Sequence, residues 1–198
     1  MKREYIVKKS EKKGIITRVA QKIFSRYGLI KTTVDEIARA ARMGKASLYH
    51  YFKSKEDIFR EVVEKENMLL TEKIQEAINK EDLPQKKIRA YIITRMKYLN
   101  ELANIHSALK DDYLEHYAFI EKIRKRNFQE EIETIKNILK EGTKKGIFKV
   151  RDIELTSFAI ISALKGLEYP WSVETPMPEV EKSIDKLLEI LFNGIVKR

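Results

Sequence analysis

Between Thr32 and Ile58 the chain reads TTVDEIARAARMGKASLYHYFKSKEDI, and few folds accommodate this stretch, because it holds two short helices and the start of a third within one supersecondary unit. Thr33, with Glu36 three residues on, has the spacing of a capping box, and Val34, Ile37, Ala38 and Ala41 fall at i, i+3, i+4 and i+7 on one face. Arg42 and Met43 then make a tight turn with Met43 inward, and Gly44 serves as N-cap for a second helix from Lys45 to about Phe52. Leu48 and Phe52, four apart, give that helix one buried edge. Lys45, Ala46, Ser47, Tyr49 and His50 are left on the tip and flanks of its first half. This is a helix-turn-helix pattern, which offers the start of its second helix to base edges in the major groove while hydroxyls, N–H groups and cations hold phosphates on either side. The candidate DNA contacts are therefore Thr33, Arg42, Lys45, Ala46, Ser47, Tyr49, His50 and Lys55, with Lys45 at the tip and Thr33, Tyr49 and Lys55 placed for phosphates.

Charge points the same way. Residues 1–60 carry sixteen Lys and Arg against six Asp and Glu, whereas residues 61–198 carry twenty-four of each, so the whole excess of +10 lies at one end. A basic head on a neutral body is the electrostatic footprint of a polyanion binder whose second part has another task. Without any cysteine the chain can build no disulfide, thiolate nucleophile or Cys-ligated metal site, which suits a reducing cytoplasm. Its N-terminus is charged throughout and no apolar run approaches the roughly 18 residues of a membrane span, so a cytoplasmic protein without a membrane partner is expected.

Three stretches, LYHYFKSKEDI (Leu48 to Ile58), TTVDEIA (Thr32 to Ala38) and IFSRYGLIKTTV (Ile23 to Val34), resemble the DNA-binding domain of the TetR/AcrR family of bacterial transcription regulators. In that family a first helix ends in an aromatic-then-glycine step before the paired threonines, and here the step is Tyr27 and Gly28. The chain departs from the pattern at Arg42, where a glycine is common, at Gly44, where a small polar cap is common, and at Ala46, which also replaces a glycine. Arg42 can take a left-handed turn at modest strain, and the methyl of Ala46 either touches a thymine methyl or limits how deep the helix sits. The resemblance implies a sequence-specific transcriptional regulator that binds a roughly palindromic double-stranded DNA operator as a homodimer. It further implies a repressor that leaves the operator when a small-molecule effector occupies the body.

The rest of the chain reads as helix, so the expected fold is all-α: a three-helix DNA-binding domain over residues 1–53, then a helical effector-binding and dimerisation domain over 54–198. A first helix from about Glu11 to Tyr27 covers the back of the head. Ser54 and Asp57 form a second capping box that opens a long helix to about Ala77, shared by head and body. Further helices are expected over Gln85 to Ala103, weakly over Ile105 to Tyr113, then over Tyr117 to Glu141, Ile153 to Tyr169 and Pro178 to Gly194, with Pro170, Pro176 and Pro178 marking a loop before the last.

The Ile153 to Leu167 helix is apolar nearly all round and must be covered on every side. With the wide apolar stripe of the last helix, it belongs either to the monomer core or to a subunit interface. The resemblance implies a four-helix bundle across a two-fold axis, with Phe158, Ile161, Leu164, Ile184, Leu188 and Leu191 as its candidates. A ligand finds its only home among the middle helices, where Tyr91, Met96, Leu99, Phe119, Ile123, Phe128 and Phe158 line either a cavity or plain core, with Trp171 in the proline-rich loop to close it. Arg95 and Asn127 interrupt apolar stripes, so each either pairs internally or meets a polar group of a ligand.

Asp111, Asp112, Glu115 and His116 are the one cluster with metal-ligand chemistry, Asp112 and His116 sharing a face if a helix forms there. An exposed acidic helix end has the same composition, and no metal or cofactor is called for. Neither HExxH, a phosphate-cradling glycine loop nor a nucleophile elbow occurs, which argues against an enzyme. A constitutive, architectural DNA-binding dimer without an effector remains the alternative to a ligand-responsive regulator.

Overall fold

The computed structural model describes residues 2–102, 104, 118–173 and 175–194. Every regular element among them is an α-helix: α1 (Lys2–Lys31), α2 (Val34–Ala40), α3 (Lys45–Tyr49), α4 (Lys55–Asn79), α5 (Pro84–Glu101), α6 (Ala118–Lys144), α7 (Ile153–Val173) and α8 (Met177–Asn193). The chain divides into two compact units, residues 1–69 with 102–120, and residues 70–101 with 121–198. None of the described helices is long and apolar enough to cross a membrane.

In the first unit α1 is interrupted at Gly28, whose φ of 75° and ψ of 170° leave the helical region. A side chain is strained there, which is why the aromatic-then-glycine step ends the long helix. Thr32, buried, donates its hydroxyl to the Gly28 carbonyl at 2.7 Å and closes the turn into α2. Ile16, Ala20 and Phe24 of α1 are buried, as are Ile37 of α2 and Leu48 of α3, and Phe24 meets Phe59 of α4 edge to face at 5.1 Å. Deeper in this unit the Glu66 carboxylate of α4 accepts from Gln21 of α1 at 2.9 Å and from Asn104 at 2.6 Å, while Asn104 also donates to the Gln21 carbonyl at 3.2 Å. The Glu66 carboxylate thus gathers two amide donors, while the buried Asn104 Oδ1 meets no donor.

In the second unit α5 is the element on which the others assemble, packing against α7 and α8 and tied to α6. Its start at Pro84 suits the first helical position, where the missing N–H is not needed. Lys87 binds the Glu141 carboxylate of α6 at 2.7 Å, and Arg89 clamps Asp185 of α8 through Nε at 2.6 Å and Nη2 at 3.0 Å. Hydrogen bonds from Lys145 and Lys87 hold the Glu141 carboxyl below its ordinary pKa. At the end of α6 the ring of Phe148 lies so close to Gly142 that a β-carbon there would stand 2.1 Å from it, so glycine is needed for the approach rather than for its backbone freedom.

Two expectations about elements change. Helix α7 does not stop near Tyr169 but continues through Pro170 to Val173, so the proline-rich loop is shorter than its prolines suggest. A proline at 170 has no N–H to give to the Gly166 carbonyl, and the helix continues to the buried Trp171. Helix α3 ends at Tyr49, and the tighter bonds His50 N–H to Ser47 O and Tyr51 N–H to Leu48 O carry the chain to the buried Phe52. The segment from Ile105 to Tyr113, and with it Asp111, Asp112, Glu115 and His116, lies outside the described residues.

Candidate nucleic-acid interface

The reading head is built by caps that the local sequence dictates. Thr33 stands at φ −110° and ψ 154°, and both halves of the capping box are made: the Glu36 N–H donates to Thr33 Oγ1 at 3.3 Å and the Thr33 N–H to Glu36 Oε2 at 2.7 Å. Those bonds from Thr33 hold the Glu36 carboxyl below its ordinary pKa. After α2 the chain reverses at Arg42, which has φ of 54°, the one non-glycine residue with positive φ among the described residues. The strain is small for a single αL residue, and it turns the exposed guanidinium outward at the start of the turn. Gly44, extended at φ −73° and ψ 148°, is the N-cap of α3.

Leu48 is fully buried, and around it Lys45, Ala46, Ser47, Tyr49 and His50 are all exposed, so the first half of α3 is a free surface bounded by one anchored residue. Thr33 and Arg42 are exposed beside it. Lys55, at the start of α4, is half-buried and donates to the Ile30 carbonyl at 3.3 Å, next to the exposed Tyr27 and Ile30. The Asp57 N–H donates to Ser54 Oγ at 3.2 Å and Asp57 pairs with Arg60 at 3.1 Å, which caps and steadies the first turn of α4. One contact was not legible from spacing. Lys45 Nζ lies 2.7 Å from Asp35 Oδ2 in the first turn of α2, and this hydrogen bond holds the lysine above its ordinary pKa. A separation of ten residues across a turn matches no helical periodicity, so only the folded geometry reveals it.

The proposed ligand residues fall in both units. Phe119 belongs to the first unit, where its ring meets Phe59 edge to face at 6.5 Å and lies 5.0 Å under the Arg60 guanidinium. Tyr91, Arg95, Met96, Ile123 and Asn127 are buried in the second unit. Arg95, only 1% exposed, has an internal partner: its Nε and Nη2 donate to the two carboxylate oxygens of Glu131 at 3.1 and 3.2 Å. Of the two alternatives open to Arg95, internal pairing is the one found. Asn127 differs, since its buried Oδ1 meets no hydrogen-bond donor. Phe128 is half-buried, edge to face with Phe158 at 5.7 Å and covered by Lys165 at 4.8 Å. The side chain of Leu99 lies outside the described ones.

Trp171 lines instead an apolar hollow of about 430 Å³ between α5, α7 and α8, with Ile92, Leu155 and Leu187 among its walls. The interface candidates divide by their exposure. Ile161, Leu164, Ile184 and Leu188 are buried within their own unit, so they make the floor beneath a surface rather than the surface itself. Phe158, 49% exposed, and Leu191, 44% exposed, do face outward, joined by Leu155, Leu187 and Ile190. A helix apolar on all sides carries no phase from which to tell floor from surface.

Residues 16–62, from the middle of α1 into α4, match the family model for bacterial regulatory proteins of the tetR family. Over 190 residues the chain is 28% identical to the HTH-type transcriptional regulator QacR of Staphylococcus aureus, covering 93% of this chain and 98% of that one. A solved transcriptional regulator from Cytophaga hutchinsonii superposes with a TM-score of 0.75 at 27% identity, over 93% of this chain and 98% of that one. The fold also matches Bacillus subtilis FadR, solved in complex with stearoyl-CoA, with a TM-score of 0.73 at 21% identity over 92% and 98% of the two chains.

Proposed function

We propose, from the match of residues 16–62 to the tetR-family model and the likeness to QacR, that this chain is a TetR/AcrR-type regulator: a cytoplasmic homodimeric repressor that binds a roughly palindromic operator and leaves it when a small apolar or amphipathic molecule binds. The observation that carries the DNA-binding half is the free first half of α3, with Lys45, Ala46, Ser47, Tyr49 and His50 exposed around the buried Leu48 and the chain's whole excess of positive charge in the same sixty residues. In this reading Lys45 reaches base edges, while Thr33, Arg42, Tyr49 and Lys55 hold phosphates. Lys45→Ala is expected to cost about 1–3 kcal/mol on the operator and to relax base preference at one position of each half-site. Lys55→Ala is expected to weaken operator and random duplex alike and to lower the slope of log affinity against log salt by about one. Fluorescence anisotropy on both duplexes across a salt series reads these outcomes, and equal losses on both duplexes for both variants would remove the division of roles.

Support for an effector is of a different kind. The same fold holds stearoyl-CoA in Bacillus subtilis FadR, and the unmatched Asn127 Oδ1 offers an acceptor to a donor on a ligand within an otherwise apolar neighbourhood. Arg95 already gives two of its donors to Glu131, which weighs against its serving as the main anchor for an anion. The engaged Arg95 favours the second reading, a constitutive DNA-binding dimer whose body only assembles subunits. Operator release titrated with a series of apolar and acyl compounds separates the two, since a constitutive binder responds to none.

A further inference from the structure

On the DNA-binding reading, Asp35 is the unexpected member of the interface. It sits in the first turn of α2, with its carboxylate on the Lys45 ammonium at 2.7 Å and both side chains about half exposed. A pair so exposed adds little to folding, but it sits at the tip of the helix that approaches a polyanion. An ammonium carries three N–H donors, and Asp35 engages one. The other two suffice for the paired acceptors N7 and O6 that guanine shows in the major groove.

We propose that Asp35 is a positioning residue that makes the interface selective: it holds Lys45 in a fixed direction for base readout and withholds it from arbitrary phosphates. On random duplex the free donors of Lys45 can meet a phosphate only with the Asp35 carboxylate held beside it, so repulsion between carboxylate and phosphate offsets what the contact gains. On the operator the clip stays closed and Lys45 reads through its free donors. Asp35 therefore lowers affinity for the wrong sequences more than for the right one, which is discrimination by repulsion as well as by attraction.

Asp35→Asn, Lys45→Ala, the double variant and Glu56→Gln test this. The last removes one negative charge at the start of α4, as a control for net charge. Probes are a duplex recovered by the wild-type chain from a randomised library, and poly(dA-dT). For Asp35→Asn the expected result is about tenfold tighter binding to poly(dA-dT) with a salt slope steeper by about one, and less than threefold change on the selected duplex. In the Lys45→Ala background the slope change should vanish, because the effect runs through Lys45. Glu56→Gln should leave the ratio of the two affinities unchanged. The proposal is overturned if Asp35→Asn tightens both duplexes equally, as the control for charge alone would, or weakens both together with the melting temperature, as a purely structural role in α2 would. A wild-type chain without salt-dependent duplex affinity overturns the DNA-binding reading itself, a different outcome from a selective wild type that Asp35→Asn does not alter.

Discussion

Replacing Glu131 by alanine is expected to lower folding stability by about 3–5 kcal/mol, the range seen when one partner of a buried ion pair is removed. Glu131 and Arg95 have side chains only 12% and 1% exposed, and the carboxylate receives both prongs of the guanidinium fork. Without it the fork keeps its charge in a setting that offers poor solvation, and the loss exceeds what the pair itself contributed. The double replacement Arg95→Met, Glu131→Leu should recover most of the loss, because apolar side chains of similar length remove the desolvation cost together with the attraction. Urea midpoints at constant slope measure both. A loss under about 1 kcal/mol for Glu131→Ala, in the range of an exposed pair, would mean that Arg95 is held chiefly by other groups. The core role assigned to the pair would then fall.

Where short-range rules apply, the chain announces its structure. The Thr33 and Glu36 capping box, the break at Gly28, the left-handed turn at Arg42 and the Ser54 cap of Asp57 are all visible in residues at most four apart, and all are present in the fold. Their causes are local: an orphan N–H finds an oxygen three residues back, or a turn requires positive φ. The pairs that organise the molecule over longer distances are of another kind. Arg95 and Glu131 are 36 residues apart, Glu66 and Asn104 are 38 apart, and Lys45 and Asp35 are joined only through a turn. Each of these charges has many acids or bases within reach in an extended chain, and tertiary packing alone selects the partner. The surroundings of the ligand candidates were hidden for the same reason, since an aromatic residue at helical spacing shows that it is covered but not by what, and Phe119 lies edge to face with Phe59.

The dimer surface shows how far an apolar count goes without a phase, and it yields the second large effect. Leu155, Phe158, Leu187, Ile190 and Leu191 are between 40% and 63% exposed on α7 and α8, above the buried Ile161 and Ile184. Fully covering a large apolar side chain is worth about 1.5–3 kcal/mol, these half-exposed ones correspondingly less, and a two-fold contact on this face would cover each of them in both subunits. The wild-type chain should therefore sediment as a dimer at micromolar concentration. Leu187→Glu with Leu191→Glu puts four carboxylates into that dry contact per dimer, and each subunit's own core is left intact because both side chains are exposed. The dissociation constant should rise at least about a hundredfold, roughly 3 kcal/mol or more, giving folded monomers with unchanged helical circular dichroism. Ile161→Glu and Ile184→Glu should behave differently, losing the fold rather than the partner, since a charge there enters the subunit's own interior. Sedimentation velocity paired with thermal melts distinguishes the two classes. If the Leu187 and Leu191 double variant stays dimeric and fully folded, the subunits meet on another face, and this apolar surface is covered by something other than a second copy of the chain.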